Sequence, residues 1–385
     1  MNHCRVCASD IATTAYEASA PALTSVMTIL DMPTQVFVCD TCGHAQCADL
    51  PDIQTFYDTG YKISLGSEDH DQIFAVATDG TPIFRTDHQA ALALRLFDLP
   101  EGASLLDYGA AKATTLRKIF ATRPDLQPHV FDVSSDYASA WQGWIEPENQ
   151  AIYSTPSQWA GRFDAIMTHF VLEHVAEPVA FLSSLHDMLK VDGRLLVSIP
   201  DVAANPGDMA VVDHLNHFSD ASLRYAFAKS GLIVETMDRT SFPGAFFVVA
   251  TRPQAPVIAE RDQASALQAA DRSRGICDFW TKAAQNLDDA VSKAAGRSAA
   301  IYGAGFYGSW IFSRMEKHIE LRNFLDQNPK LHGTEHFGRP VIAPAQLPID
   351  IEIVFIGLNP LKAREAIAAL PALHREGLEL VWIDA

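Results

Sequence analysis

Positive charge is scarce in this sequence. Its 385 residues carry 29 Lys and Arg against 47 Asp and Glu, a formal charge of −18. That balance excludes a broad surface for nucleic acid or anionic lipid, because phosphates are repelled on average, while a local pocket for one anion remains possible. Long apolar runs are missing too, since no stretch reaches the roughly 18 residues a membrane span needs. The first residues, Met1 to Cys7, lack the apolar core of a signal peptide. Cysteine is sparse at six residues. Four of the six fall in Cys-x-x-Cys pairs, which suits a reducing compartment and a metal better than disulfides. The chain reads as cytoplasmic, with no nucleic-acid or membrane partner. At this length and 48% hydrophobic content, two or three globular domains are expected.

What is there begins with Cys4-x-x-Cys7 and Cys39-x-x-Cys42. Each pair sets two thiolates on a tight knuckle, and two knuckles close a tetrahedral sulfur site for zinc. With four cysteines bound, no coordination position stays open for substrate. Zinc is therefore expected to be structural and to supply folding energy to a small N-terminal module. Cys47 lies outside this spacing and reads as a free or buried thiol. The polar-aromatic stretch from Gln54 to Asp71, with Tyr57, Tyr61 and His70, is expected to be a lid over a cleft or a surface connector. Module and lid together take residues 1–75.

Residues 76–252 alternate strand-like and helix-like patterns. An apolar strand, Ser104 to Asp107, ends in a tight turn at Tyr108-Gly109, and a helix follows from Thr114. A second strand ends at Asp132, where a carboxylate can accept hydrogen bonds from ribose hydroxyls. Later strands are expected at 150–153, 163–169 and 193–199, and a closing hairpin at 233–237 and 245–251. The pattern predicts an α/β doubly wound parallel sheet with an antiparallel edge hairpin. Two histidine clusters stand out. His169, Glu173 and His174 follow the fourth strand and either line a cleft or cap the next helix. Asp213, His214, Asn216 and His217 follow the fifth strand and a loop containing Pro206-Gly207. A histidine beside a carboxylate is the usual equipment of a general base near neutral pH. The alternative for this second cluster is a capped helix start with structurally bonded histidines.

A proline-flanked boundary at Arg252 to Pro256 opens a linker (253–296) that reads as one long helix or two. The last segment, 297–385, contains Gly303-x-Gly305-x-x-Gly308 between a strand and a helix, with Asp326 ending the next strand. That spacing fits a dinucleotide turn. It also fits a Rossmann-like domain used only for packing or for presenting phosphates at a helix N-terminus.

Asp107-x-Gly109, Asp132, Phe163-Asp164, Val171-Leu-Glu-His174 with Pro178, and the closing hairpin resemble the class I S-adenosylmethionine-dependent methyltransferases. The resemblance implies S-adenosylmethionine as cofactor, held by Asp107, Tyr108, Gly109, Asp132 and His169. Ala111 and Ala113 stand where that family has glycine, and both are expected at negative φ. Taken whole, the chain resembles the three-domain nucleotide-sugar C-methyltransferases, which have an N-terminal zinc module, a methyltransferase core and a C-terminal Rossmann-like domain. That resemblance implies a nucleotide-sugar substrate, a monomer or homodimer, and carbon methylation after deprotonation beside a keto group. Its catalytic counterparts here are Asp213, His214, His217 and Tyr61. The alternatives are an O- or N-methyltransferase on another acceptor, a dinucleotide-dependent sugar-nucleotide oxidoreductase or epimerase, and a non-catalytic zinc scaffold.

Overall fold

The computed structural model describes residues 2–51, 73–76, 81–315 and 319–384. Among them, no helix is long and apolar enough to cross a membrane. The N-terminal part contributes three antiparallel strands, β1 (Thr14–Ala18), β2 (Thr34–Val38) and β3 (Ala45–Cys47). A hairpin, Ile73–Val76 with Pro82–Phe84, then leads into α1 (Arg85–Phe97) and spans the boundary expected at 75/76.

The central sheet uses β4 (Ser104–Tyr108), β5 (Gln127–Asp132), β6 (Gln150–Ile152), β7 (Phe163–His169) and β8 (Leu189–Pro200) in parallel. Its last two strands are β10 (Ile233–Asp238) and β11 (Ala245–Thr251), and β11 runs antiparallel to both neighbours. The order across the sheet is β6-β5-β4-β7-β8-β11-β10. Helices cover both faces, so the inner strands are apolar on both. The strand period divides neighbours between two cores. Leu105, Val130, Met167 and Phe247 pack toward α1 and α2 (Thr114–Thr122). Leu106, Phe131, Ile166 and Phe246 pack toward α3 (Pro178–Met188) and α4 (Asp220–Lys229). Strand succession reverses direction beside β4, so a crevice forms between the carboxyl ends of β4 and β7.

Between β8 and α4 the chain makes a short strand, β9 (Asn216–His217), which leaves the central sheet and pairs with β3. The segment expected to carry the base is thereby an edge of the N-terminal sheet, which has the order β9-β3-β2-β1. The linker is a single 31-residue helix, α5 (Gln263–Lys293), started by Asp262 accepting from the Ser265 amide. Its buried stripe runs Ala266, Ala270, Ser273, Cys277, Trp280, Ala284, Leu287 and Val291, the alternating four-and-three spacing of one helix face. That face packs against β1 and β2 and against the C-terminal part, so one helix joins both outer units.

The C-terminal unit is a second sheet containing β12 (Ser298–Tyr302), β13 (Glu320–Leu325), β14 (Glu335–His336), β15 (Arg339–Ile342), β16 (Ile353–Ile356) and β17 (Glu379–Trp382). The order is β14-β15-β13-β12-β16-β17, parallel except for β14. Helix α6 (Phe306–Met315) follows the glycine-rich turn.

Candidate active site at the carboxyl edge of the central sheet

The turn after β4 is built on backbone bonds. The amides of Gly109 and Ala110 both donate to Phe131 O, at 2.9 and 3.0 Å. Gly109 has φ +77°, and a Cβ there would stand 2.5 Å from Val171 Cγ2, so only glycine fits. The expectation for the two alanines is corrected. Ala111 (φ 46°) and Ala113 (φ 54°) are both left-handed, an arrangement that costs an alanine about 1–2 kcal/mol each. The turn keeps the path that glycines would give it, at the expense of strain. Asp132 helps hold it, accepting from the amides of Ala111 at 2.8 Å and Ser134 at 3.0 Å.

Two acids meet at this turn. Asp107 is buried at the end of β4, and burial, with the Asp132 charge nearby, pushes its carboxyl up to about 8. Burial also raises Asp132 against the pull of its amide donors. Burial moves both carboxyl groups toward the neutral form. Tyr108 directs its ring into a cluster with Phe131 and Phe181, where burial pushes its phenol up to about 12. Val133 is 58% exposed directly after Asp132, an apolar surface at the crevice that the sequence pattern did not single out. His169, at the end of β7, bonds Ser198 Oγ through Nδ1 at 2.8 Å. Its buried Nε2 has no hydrogen-bond partner among the described residues, and burial, with Arg85 near, lowers the imidazole to about 3.

The second group of residues lies after β8. The structure corrects the pairing of His214 with Asp213. His214 Nδ1 instead donates to Asp208 Oδ1 at 2.6 Å. The Asp213 carboxylate accepts from the amide and hydroxyl of Ser25, both at 2.6 Å, and so ties the loop to the N-terminal unit. His217 holds the same acid as His214. Its side chain is wholly buried, its Nδ1 donates to Asp208 Oδ2 at 3.2 Å, and Cys47 Sγ lies 3.3 Å from its Nε2. It bonds the carboxylate oxygen of Asp208 that His214 leaves free. Asp208 thus sits between two imidazoles. Burial opposes its charge, but both histidines hold its carboxyl well below the usual range. For His214, burial alone would lower the imidazole. Asp208, with Asp213 and Glu173 farther off, outweighs it and pushes the ring up to about 9.

Glu173 and His174 face the same point. The ring of His174 stands edge-on to that of His214 with centroids 4.7 Å apart, and His174 Nδ1 donates to Asp213 O at 3.0 Å. Burial, then the His214 charge, lowers His174 to about 4. Burial pushes Glu173 up to about 8, and its Oε2 has no hydrogen-bond partner among the described residues. Donor atoms of Glu173, His174 and His214 lie within 4.8 Å of one another. A protonated carboxyl beside a cationic imidazole can donate to an oxygen and later share the proton traffic. The packing alternative for Glu173 and His174 therefore explains only part of their setting. Tyr61, with Tyr57 and His70, lies outside the described residues.

The four cysteines do converge. Cys4 Sγ stands 3.5 Å from Cys42 Sγ and Cys7 Sγ stands 3.5 Å from Cys39 Sγ. Ligands on a tetrahedral zinc with 2.3 Å bonds lie about 3.8 Å apart, so this donor set fits a zinc ion after slight expansion. Between the first two cysteines, Arg5 Nη1 donates to Cys47 O and Leu215 O, both at 2.8 Å. From the second knuckle, His44 Nε2 donates to Asn216 Oδ1 at 3.2 Å. Asn216 Nδ2 in turn donates to Val175 O at 2.6 Å and Leu172 O at 3.2 Å, gripping the turn that carries Glu173 and His174. The cysteine site therefore supports both halves of the histidine cluster without entering it.

Residues 84–236 match the family model described as a methyltransferase domain. No curated protein matches the chain. Among solved structures it is similar to an S-adenosylmethionine-dependent methyltransferase from Mesorhizobium loti, at 16% identity and TM-score 0.35, covering 43% of this chain and 100% of that one. It is also similar to the CurJ carbon methyltransferase, at 15% identity and TM-score 0.33, over 42% of this chain and 51% of that one. A third similarity is to the [4+2]-cyclase SpnF, at 13% identity and TM-score 0.36, over 48% and 86%. Residues 84–236, which hold most of the central sheet, form a methyltransferase domain.

Proposed function

We propose that the protein methylates a carbon atom of a sugar or nucleotide sugar, next to a keto group, with His214 as the base. The observation that carries this is the short Nδ1 bond from His214 to Asp208, which sets the imidazole tautomer and leaves Nε2 for a substrate proton. A methyl transfer to oxygen needs little more than a positioned hydroxyl, whereas a carbon acid needs a strong base and an oxygen-directed donor. His214 held near 9 answers the first need, and a neutral Glu173 carboxyl answers the second. His214 Nε2 takes the proton from the carbon beside the keto group, and Glu173 donates a hydrogen bond to the enolate oxygen. The enolate carbon so formed would be the nucleophile for a methyl supplied by S-adenosylmethionine when bound, and His214 releases its proton to solvent.

S-Adenosylmethionine supplies an electrophilic methyl on a sulfonium when bound. Asp107, Asp132, Gly109 and His169 would hold it. Two crowded, buried carboxyl groups suit a ligand with an ammonium and a sulfonium, and the orphaned His169 Nε2 offers one more polar contact. The four cysteines would hold structural zinc. Incubating keto-sugar nucleotides with the protein in deuterated water tests the reading. Exchange beside the keto group, lost in His214→Gln while calorimetric binding of S-adenosylmethionine persists, is the expected result. Methyl transfer to a hydroxyl with no exchange on any keto-sugar would refute it.

A further inference from the structure

The loop that carries Asp208 is held by more than its own domain. Ala204 to Gly207 lies across the C-terminal sheet at the point where strand succession reverses beside β12. In folds of this order, a ligand occupies the crevice between the turn after the first strand and the end of the strand on its other side. Here those two lips are the turn after β12 and the loop after β16, and both hydrogen-bond the same four-residue segment. From the first lip, Tyr307 Oη donates to Asn205 Oδ1 at 2.7 Å and accepts from the Gly207 amide at 2.9 Å. From the second, Asn359 Nδ2 donates to Ala204 O at 3.1 Å. The linker helix adds Trp280 Nε1 to Pro206 O at 2.7 Å. Contact is close enough that a Cβ on Gly207 would lie 2.7 Å from Tyr307 Cζ, so glycine is required where the loop meets the ring. The next residue is Asp208.

We infer that the glycine-rich turn Gly303–Gly308 is a docking site for the chain's own active-site loop, and that Tyr307 is a positioning residue for His214 acting through Asp208. The loop occupies the crevice that a dinucleotide would cross in a dehydrogenase. The fingerprint thus serves to place a base in the neighbouring domain. It rests on the reading of His214 as the base. The groups facing His214 are Asp208 and Asp213 on its own loop and Glu173 and His174 from the turn after β7, with His217 behind Asp208. Releasing the loop weakens the contact to Asp208 first, because that residue adjoins the clamped segment.

The test uses the full chain as wild type, Tyr307→Phe and the double variant Tyr307→Phe/Asn359→Ala. Hydrogen exchange of peptides spanning 203–214, imidazole titration of His214 by NMR (assigned with His214→Gln) and calorimetry with S-adenosylmethionine are compared. Expected are at least tenfold faster exchange of the Gly207 and Asp208 amides, a His214 midpoint moved toward the ordinary imidazole range, and S-adenosylmethionine affinity within twofold of wild type. NAD+ is expected not to bind the wild-type chain. Unchanged exchange and an unchanged His214 midpoint in Tyr307→Phe would overturn the inference, as would NAD+ binding to the wild-type chain. Should the double variant fail to fold, Tyr307→Phe alone decides, since it keeps the packed ring. A wild-type His214 that titrates in the ordinary range would count against the base, and the exchange data would then judge the docking by themselves.

Discussion

His214 takes its carboxylate partner from six residues upstream, with Nδ1 2.6 Å from Asp208 Oδ1, while the adjacent Asp213 turns to Ser25. The chain bends between 208 and 214 so that acid and imidazole meet inside the loop. The neighbouring acid is spent on fastening that loop to the N-terminal unit.

Asp208→Asn is expected to lower the His214 titration midpoint and to reduce methyl-transfer kcat without changing S-adenosylmethionine affinity. His214→Gln removes the base itself and should cost about 10²–10⁴ in kcat. Rate measurements against pH separate them. In the wild type, kcat/KM should be bell-shaped in pH, because the active form needs His214 without its proton (about 9) and Glu173 with its own (about 8), and in Asp208→Asn the rising limb should come earlier.

The same pair makes stability depend on pH. The His214 midpoint is raised on folding, so its contribution is fully present below the unfolded imidazole value of about 6.5 and fades as pH climbs through about 9. Asp208 acts oppositely at the acid end. Its carboxyl is depressed on folding, so its contribution is present above about 3.9 and is lost as pH falls below that. Denaturant unfolding of wild type and His214→Gln should therefore differ most between about pH 4 and 6.5.

Removing the metal should act through shape. Chelation, or Cys39→Ser, is expected to loosen Arg5 from Leu215 and His44 from Asn216, and with them the turn holding Glu173 and His174. One zinc per chain should be released to a chromophoric chelator, with methyl transfer falling alongside the melting temperature. Activity that survives full metal loss would contradict a supporting role.

Ala111→Gly should stabilise the protein. Left-handed alanine costs about 1–2 kcal/mol, and the extra freedom of an unfolded glycine returns about 0.4–1 of that. A gain of about 0.5–1 kcal/mol in urea unfolding is expected. Gly109→Ala should do the reverse and weaken S-adenosylmethionine binding, because the new Cβ meets Val171.

Much of this protein is decided locally, and local physics is legible in sequence. The paired cysteines, the strand-then-acid endings at Asp107 and Asp132 and the closing hairpin each follow from spacing and period, and the sheet order agrees with them. The linker pattern left one long helix or two open, and the structure shows one, α5, with an unbroken four-and-three buried stripe. Three things did not lie in the sequence. Positive φ at Ala111 and Ala113 is imposed by the turn against the residue's own preference. The partner of His214 depends on how a proline- and glycine-containing loop bends, and nearness along the chain was a poor guide to nearness in space. The use of Tyr307, Asn359, Arg5 and Ser25 is tertiary altogether, since their partners lie about 100 to 210 residues away. Periodicity records which face of an element is buried. Only the packing of three units around residues 204–217 decides which acid stands next to which base.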